Sequence, residues 1–217
     1  MFLSAVIRRP GVVGAVLPSS AALARRLAAV VPRRGAPVVV ELGAGTGSVS
    51  RQIRDRLGGA GRHIAVELDG GLVGYLRASE PSIDVAHANA VDLDVVLGVR
   101  GVRAVDVVVG GLPWALIGPS HQRVIVGHVA EALGRHGVFT TFAYLHALPL
   151  GGARRFRRLL ESTFDEVLPT RVVWRNVPPA VTYVCRRPHS AGRGCAVGPD
   201  ATVTTGACSD APAHRLR

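Results

Sequence analysis

The 217-residue chain contains no lysine; all 26 of its basic residues are arginine. A P-loop needs Gly-Lys-Ser/Thr, so that phosphate cradle is excluded. Cysteine is scarce: Cys185, Cys195 and Cys208 are the only three, and no CxxC spacing occurs. Neither a disulfide framework nor a zinc knuckle is expected, no metal ligand is assigned, and a reducing cytoplasm is the expected compartment. No uninterrupted apolar stretch reaches the roughly 18–20 residues that cross a bilayer. The nearest candidate, between Arg9 and Arg25, is broken by Pro18. Charged residues make up only 19% against 48% hydrophobic ones, which excludes a fully disordered chain. Acidic residues number just 15, leaving a formal charge of +11. Such a surface attracts phosphates, on nucleic acid or on anionic lipid, and charge alone does not choose between them.

The length suits one domain with a sizeable core. We divide it into N-terminal helices over 1–34, a core over 35–187 and a flexible tail over 188–217. Near the start, Phe2, Leu3, Val6 and Ile7 share one side of a short helix that ends at Arg8 and Arg9. Such a segment either packs on the core or lies as a wedge in a membrane interface. The arginine pair ahead of an apolar run has the form of a twin-arginine export signal. Pro10 follows the pair directly, however, and the later residues fit a folded helix better: Ser19 or Ser20 caps Leu23, Leu27 and Val30 on one face. The tail is rich in Gly, Ala, Ser and Thr and has no helix or strand period.

Between the ends, β-branched runs alternate with helical segments. Strands are expected at Val38–Leu42, His63–Glu67, Ile83–Ala86, Asp106–Val109 and Val138–Phe142, with two more around Val167 and from Val181 to Val184. Helices are marked by Val49, Ile53 and Leu57; by Leu72, Tyr75 and Leu76; by His121 to Leu133, with Val124, Ile125, His128 and Val129 inward; and by Phe156, Leu159 and Leu160. The alternation argues for an α/β fold with a mostly parallel sheet covered on both faces.

The strongest signal is Glu41-Leu42-Gly43-Ala44-Gly45-Thr46-Gly47, at the end of the first strand. The glycines permit a tight turn and close approach of a ligand, and the helix behind offers unpaired N–H groups. Glu67 ends the second strand about 20 residues on, where nucleotide-binding α/β folds place the carboxylate that takes ribose hydroxyls. The order is G-x-G-x-G, not the G-x-G-x-x-G of a dinucleotide fold. With Glu41 ahead of it, the loop resembles the first motif of class I S-adenosylmethionine-dependent methyltransferases. The resemblance implies a Rossmann-like seven-stranded, mostly parallel sheet with helices on both faces and a reversed terminal strand. It implies S-adenosyl-L-methionine as cofactor, its methionine part held by Glu41 and the loop Gly43, Ala44, Gly45, Thr46 and Gly47. It places Glu67 and Leu68 at the ribose, Asn89 and Ala90 at the adenine and Gly110 beside the cofactor.

After the fourth strand comes Gly110-Gly111-Leu112-Pro113-Trp114. Adenine N6-methyltransferases carry Asn or Asp before such a Pro-aromatic pair, to bond the base amine; here Gly111 stands instead. Trp114 can stack on a base or make a cation–π contact with a substrate ammonium. A closer resemblance, to the soluble bacterial phosphatidylethanolamine N-methyltransferases, rests on four stretches. They are the opening through Leu17-Pro18-Ser19-Ser20, then Ala65-Val66-Glu67-Leu68-Asp69, Leu112-Pro113, and Val173-Trp174-Arg175-Asn176-Val177-Pro178-Pro179-Ala180. It implies a peripheral enzyme on the inner face of the membrane, docked on anionic lipid through Phe2–Arg9 and its arginine-rich faces, that methylates a lipid ethanolamine. Arg154, Arg155, Arg157 and Arg158 around Phe156 form either such a basic face or an ordinary solvated one. Arg175 meets a lipid phosphate, or pairs with Glu166 or the backbone. Trp114, Tyr144 and His146 are the candidate catalytic residues, the last two following the fifth strand on the edge where ligands bind. RNA, a soluble small molecule and a non-enzymatic role in cofactor binding or as a membrane adaptor stand as alternatives, with nucleic acid disfavoured by Gly111 and the N-terminal wedge.

Overall fold

The computed structural model describes residues 19–189. The expected N-terminal wedge Phe2–Arg9 and nearly all of the expected tail lie outside the described residues. Thirteen helices and strands alternate through the rest: α1 (Ala21–Ala28), β1 (Val38–Leu42), α2 (Ser48–Leu57), β2 (Arg62–Glu67), α3 (Gly70–Ser79), β3 (Asp84–His87), α4 (Leu93–Gly98), β4 (Val105–Gly110), α5 (Pro119–Ala132), β5 (Leu133–Tyr144), α6 (Gly151–Thr163), β6 (Phe164–Pro169) and β7 (Ala180–Pro188). Short 3₁₀ turns at Ala90–Asp92, Trp114–Leu116 and Leu145–Ala147 stand at strand ends.

The strands form one sheet in the order β3-β2-β1-β4-β5-β7-β6. β3 to β5 run parallel, and β7 lies antiparallel between β5 and β6. This is the expected Rossmann-like sheet with its reversed strand. The order turns outward from β1 in one direction and from β4 in the other, so the crevice of the fold opens at the carboxyl ends of these two strands.

Side-chain alternation along the strands assigns the helices to the faces. Val40 and Leu42 of β1, Val108 of β4 and Phe139 of β5 pack with Leu97, Ile125, Val129, Phe156 and Leu160 from α4, α5 and α6. On the opposite face, Val39, Val107, Val109 and Phe142 meet Leu23, Leu27, Val49 and Ile53 from α1 and α2. α3 covers the far end of that face through Val73 and Leu76. The Ser20 hydroxyl caps α1 by accepting the Leu23 amide at 3.2 Å. In α5 the inward residues are Gln122, Ile125, Val126 and Val129, while Val124 is 43% exposed. Val124 was expected inside; the helix turns it to the opposite side from Val126.

Aromatic stacking fixes α6 to the rest. The Trp114 ring lies parallel to Phe156 at 4.4 Å between centroids and edge-on to Phe139 at 6.3 Å; Phe139 in turn stacks on Phe164 at 6.0 Å. At the other end of the sheet, Asp84 of β3 holds Arg62 of β2 and Arg100, just past the end of α4, at 3.0 and 2.9 Å. The hydrogen bond from Arg100, and with it the one from Arg62, holds the Asp84 carboxyl below its ordinary range. The stability this clamp gives is therefore present above the usual aspartate value and is lost as the pH falls towards the lowered one.

Phe156→Ala removes the ring that backs Trp114 and should lower the unfolding free energy by about 3–5 kcal/mol, the usual cost of emptying such a site. Thermal and denaturant unfolding measure it; a loss below ~1 kcal/mol would mean that the stack is dispensable.

Candidate active site

The loop from Gly43 to Gly47 leaves β1 at the crevice. Gly43, Gly45 and Gly47 have φ of 75°, 56° and 79°, in the left-handed region that only glycine enters freely. A Cβ on Gly43 would sit 2.8 Å from Leu112 Cδ2, whereas one on Gly45 would meet nothing within 4 Å. Gly43 thus serves the packing of two loops, and Gly45 keeps the crevice open. Gly111 belongs with Gly43: its amide donates to Leu42 O at 2.8 Å, and a Cβ there would sit 2.8 Å from Gly43 O. The position where adenine methyltransferases carry an amide is here a close backbone crossing.

Glu67 joins the two strand ends. Its Oε2 accepts the Gly45 amide at 2.9 Å, and its Oε1 accepts the Leu68 and Asp69 amides, each at 2.9 Å. The carboxylate is 4% exposed. It has about four lone-pair sites, so three backbone donors leave room for one ligand hydroxyl. Asp69 accepts the Gly71 and Leu72 amides at 2.8 and 3.1 Å and caps α3. His87 Nε2 lies 3.1 Å from Leu68 O, bracing the same turn from β3. Asn89 Oδ1 accepts the Val91 amide at 3.2 Å, which leaves its NH₂ group free to donate.

Glu41 is turned away from this crevice. It is 1% exposed, and its Oε2 accepts the Ser50 hydroxyl at 2.7 Å and lies 3.0 Å from His63 Nε2. Strand alternation explains it: Glu41 shares its face with Val39, beneath α1 and α2. The arrangement has the residue types of a hydrolytic triad, but all three members are enclosed and no substrate reaches them. Glu41 supports the loop from below by fixing the first turn of α2.

The three acceptor-side residues separate. Trp114 is 3% exposed. Its Nε1 donates to Thr141 Oγ1 at 2.5 Å, and its carbonyl accepts from Gln122 Nε2 at 2.6 Å. With Phe156 against one ring face, the indole is a core residue, and the expected contact with a base or an ammonium is corrected here: no ring face is offered to a ligand. Tyr144 and His146 do come together at the crevice edge, stacked at 5.8 Å with 16° between planes, and Phe142 meets Tyr144 edge-on. His146 is exposed and Tyr144 half-buried. Burial raises the Tyr144 phenol above its ordinary value, so it keeps its proton at neutral pH. Cys185 is enclosed in β7, and burial pushes its thiol up to about 12, which makes it inert. Thr141, which ties Trp114 to Gly110 O at 2.9 Å, and Gln122 escaped the sequence reading because only the folded chain brings them to the loop. Glu166 is held by Arg186 and Arg187, so the alternative expectation, an Arg175–Glu166 pair, does not form; Arg175 is exposed. Among the described residues no cluster of side chains could hold a metal ion.

No protein-family model matches the chain. An ornithine lipid N-methyltransferase from Singulisphaera acidiphila is 35% identical over 190 residues, which cover 86% of this chain and 94% of the relative. A TehB-like S-adenosylmethionine-dependent methyltransferase from Corynebacterium glutamicum has the same fold, with a TM-score of 0.55 and 14% identity over 85% of this chain and 96% of its own. Human methyltransferase-like protein 13, solved with S-adenosylhomocysteine, gives a TM-score of 0.55 and 18% identity over 76% of this chain and 78% of its own. This chain belongs to the class I S-adenosylmethionine-dependent methyltransferases, beside the lipid N-methyltransferases. The cofactor of this methyltransferase is S-adenosyl-L-methionine.

The residues present fit that cofactor: a carboxylate with a spare lone pair, an open glycine at Gly45 and an unused amide donor at Asn89 line one crevice. Glu67→Gln puts an NH₂ group where one oxygen now faces backbone N–H. S-adenosylhomocysteine affinity should fall by about tenfold or more, the order expected when a charge-assisted acceptor is lost. Calorimetry on the folded variant checks this, and unchanged affinity would remove Glu67 from the site.

Proposed function

We propose that this methyltransferase N-methylates the amine of a membrane-lipid head group, working peripherally on the inner face of the membrane. The observation that carries the reading is the 35% identity, over nearly the whole of both chains, to an ornithine lipid N-methyltransferase. An ornithine lipid is accordingly the favoured acceptor, with phosphatidylethanolamine the other amine lipid to be tested. Among the described residues no helix is long and apolar enough to cross a membrane, in keeping with attachment at a surface. The enclosure of Trp114 adds to the case against a nucleobase, because the only aromatic ring of the Gly110–Trp114 loop is not available for stacking.

In this reading Glu67 takes a ribose hydroxyl with its remaining lone pair, and Leu68 lines the ribose. Gly43, Ala44, Gly45, Thr46 and Gly47 would hold the methionine part, with Gly110 at the end of β4 also serving the cofactor. Asn89 and Ala90 receive the adenine. S-adenosylmethionine, when bound, would supply an electrophilic sulfonium methyl group to the amine acceptor. The chain's part is alignment and electrostatics. The amine must reach the methyl group neutral, and the protonated Tyr144 phenol cannot accept its proton. That proton passes to water or to the exposed His146 imidazole. The half-buried Tyr144 ring, at the same crevice edge, would stabilise the methylated ammonium.

The acceptor is tested with radiolabelled cofactor and three candidates side by side: ornithine lipid, phosphatidylethanolamine in anionic vesicles, and ribosomal RNA. Label is expected in a lipid spot. Label confined to RNA, or absent from both lipids while the cofactor binds, overturns the reading. Tyr144→Ala should lower kcat about tenfold with little change in cofactor affinity, as expected when a stabilising aromatic face is lost.

A further inference from the structure

The chain between β6 and β7 exposes two large apolar side chains, Trp174 at 70% and Val177 at 73%. This exposure does not come from a loose loop. Asn176 between them is 3% exposed; its Oδ1 accepts the Ser20 amide at 3.0 Å and its Nδ2 donates to Pro178 O at 2.7 Å. Val173 N donates to Ala180 O at 2.8 Å, and Leu145 N donates to Pro179 O at 2.8 Å. The backbone is pinned to α1, to β7 and to the end of β5, while Trp174 and Val177 are held outward.

Strand direction places this loop. β7 starts at Ala180, opposite Tyr144 at the end of β5. β6 ends at Pro169, opposite Tyr183. The loop therefore stands at the same sheet edge as the glycine loop, Gly110 and the Tyr144–His146 pair. The next connection along that edge carries Leu150, 56% exposed, and leads into Arg154 and Arg155 at the start of α6. Within residues 170–179 there is no acidic residue, and Arg171 and Arg175 are both exposed.

We propose that residues 170–179 form a rigid anchor that seats the acceptor edge on an anionic bilayer, with Trp174 and Val177 in the head-group layer and Arg171 and Arg175 at lipid phosphates. An indole with flanking arginines is the composition suited to a membrane–water interface. Charge complementarity selects the occupant: a chain of net charge +11 meets an anionic surface. The inference rests on the lipid reading of the acceptor, since a lipid held in the bilayer is delivered only to an edge that faces it.

The chain's two tryptophans make the test direct, because Trp114 is enclosed and Trp174 is not. Emission of the full chain is recorded with vesicles containing phosphatidylglycerol, with pure phosphatidylcholine vesicles and with vesicles brominated near the head group. The expected result is a blue shift with the anionic vesicles and quenching by the brominated lipid. Trp174→Ala should abolish the shift and weaken vesicle binding by about tenfold, the order expected when one aromatic side chain is no longer buried. Trp174→Phe should bind nearly as the parent does. S-adenosylhomocysteine affinity, unchanged in both variants, reports an intact fold. Vesicle binding with unshifted emission, or equal binding by Trp174→Ala, overturns the anchor. So does a blue shift that grows with protein concentration in the absence of vesicles, which would put a second copy on the loop. Methylation of lipid in detergent micelles separates the two readings. Methylation with an unshifted Trp174 overturns the anchor alone, and a shifted Trp174 without methylation of any lipid overturns the acceptor alone.

Discussion

One carboxylate holds the cofactor edge together. Glu67 gathers amides from the glycine loop after β1 and from the turn after β2, beside the bond from the Gly43 amide to Val66 O at 2.8 Å. Backbone amides in a tight glycine turn have no partner of their own, and burying them unpaired costs free energy. A buried carboxylate needs donors for the same reason. Each satisfies the other, and the result is a preassembled crevice. The carboxylate is already oriented in the free chain, so the proposed ribose contact would leave little ordering for binding to accomplish.

The acceptor side follows a different rule. The Gly110–Trp114 loop turns its one aromatic ring inward, against Phe156, and secures it through Thr141 and Gln122. The loop is thereby rigid, and it offers the acceptor neither a stacking ring nor, at Gly111, an amide. The β5 end and the loop before β7 stand at the same sheet edge. There the side chains are Tyr144, His146 and a row of exposed apolar and basic groups, chemistry suited to an amine at an interface and not to a base edge.

The glycine loop and the carboxylate that braces it were legible because their signal is local: three glycines, the strand before them and a carboxylate at a fixed spacing all lie in one βαβ unit. The sheet order was legible for the same reason, through alternating β-branched and helical runs. Trp114 was not. Its environment is set by Phe156 and Thr141, far along the chain, and a Pro-aromatic pair looks the same whether the ring faces a ligand or the core. Glu41 escaped for a subtler reason. The motif marks it as part of the loop, but strand parity turns it to the opposite face, onto Ser50 and His63. The exposed pair Trp174 and Val177 was visible as part of a sequence string, and only the buried Asn176 between them shows that the chain holds them outward.

The central claim is that Glu67 assembles the crevice before the cofactor arrives. Hydrogen exchange at the amides of Gly45, Leu68 and Asp69 in the free enzyme measures this directly. All three should be protected without ligand, and become more protected when S-adenosylhomocysteine binds. Exchange at the rate of an open loop in the free enzyme, with protection appearing only on binding, would contradict it and make the site one that the cofactor itself assembles.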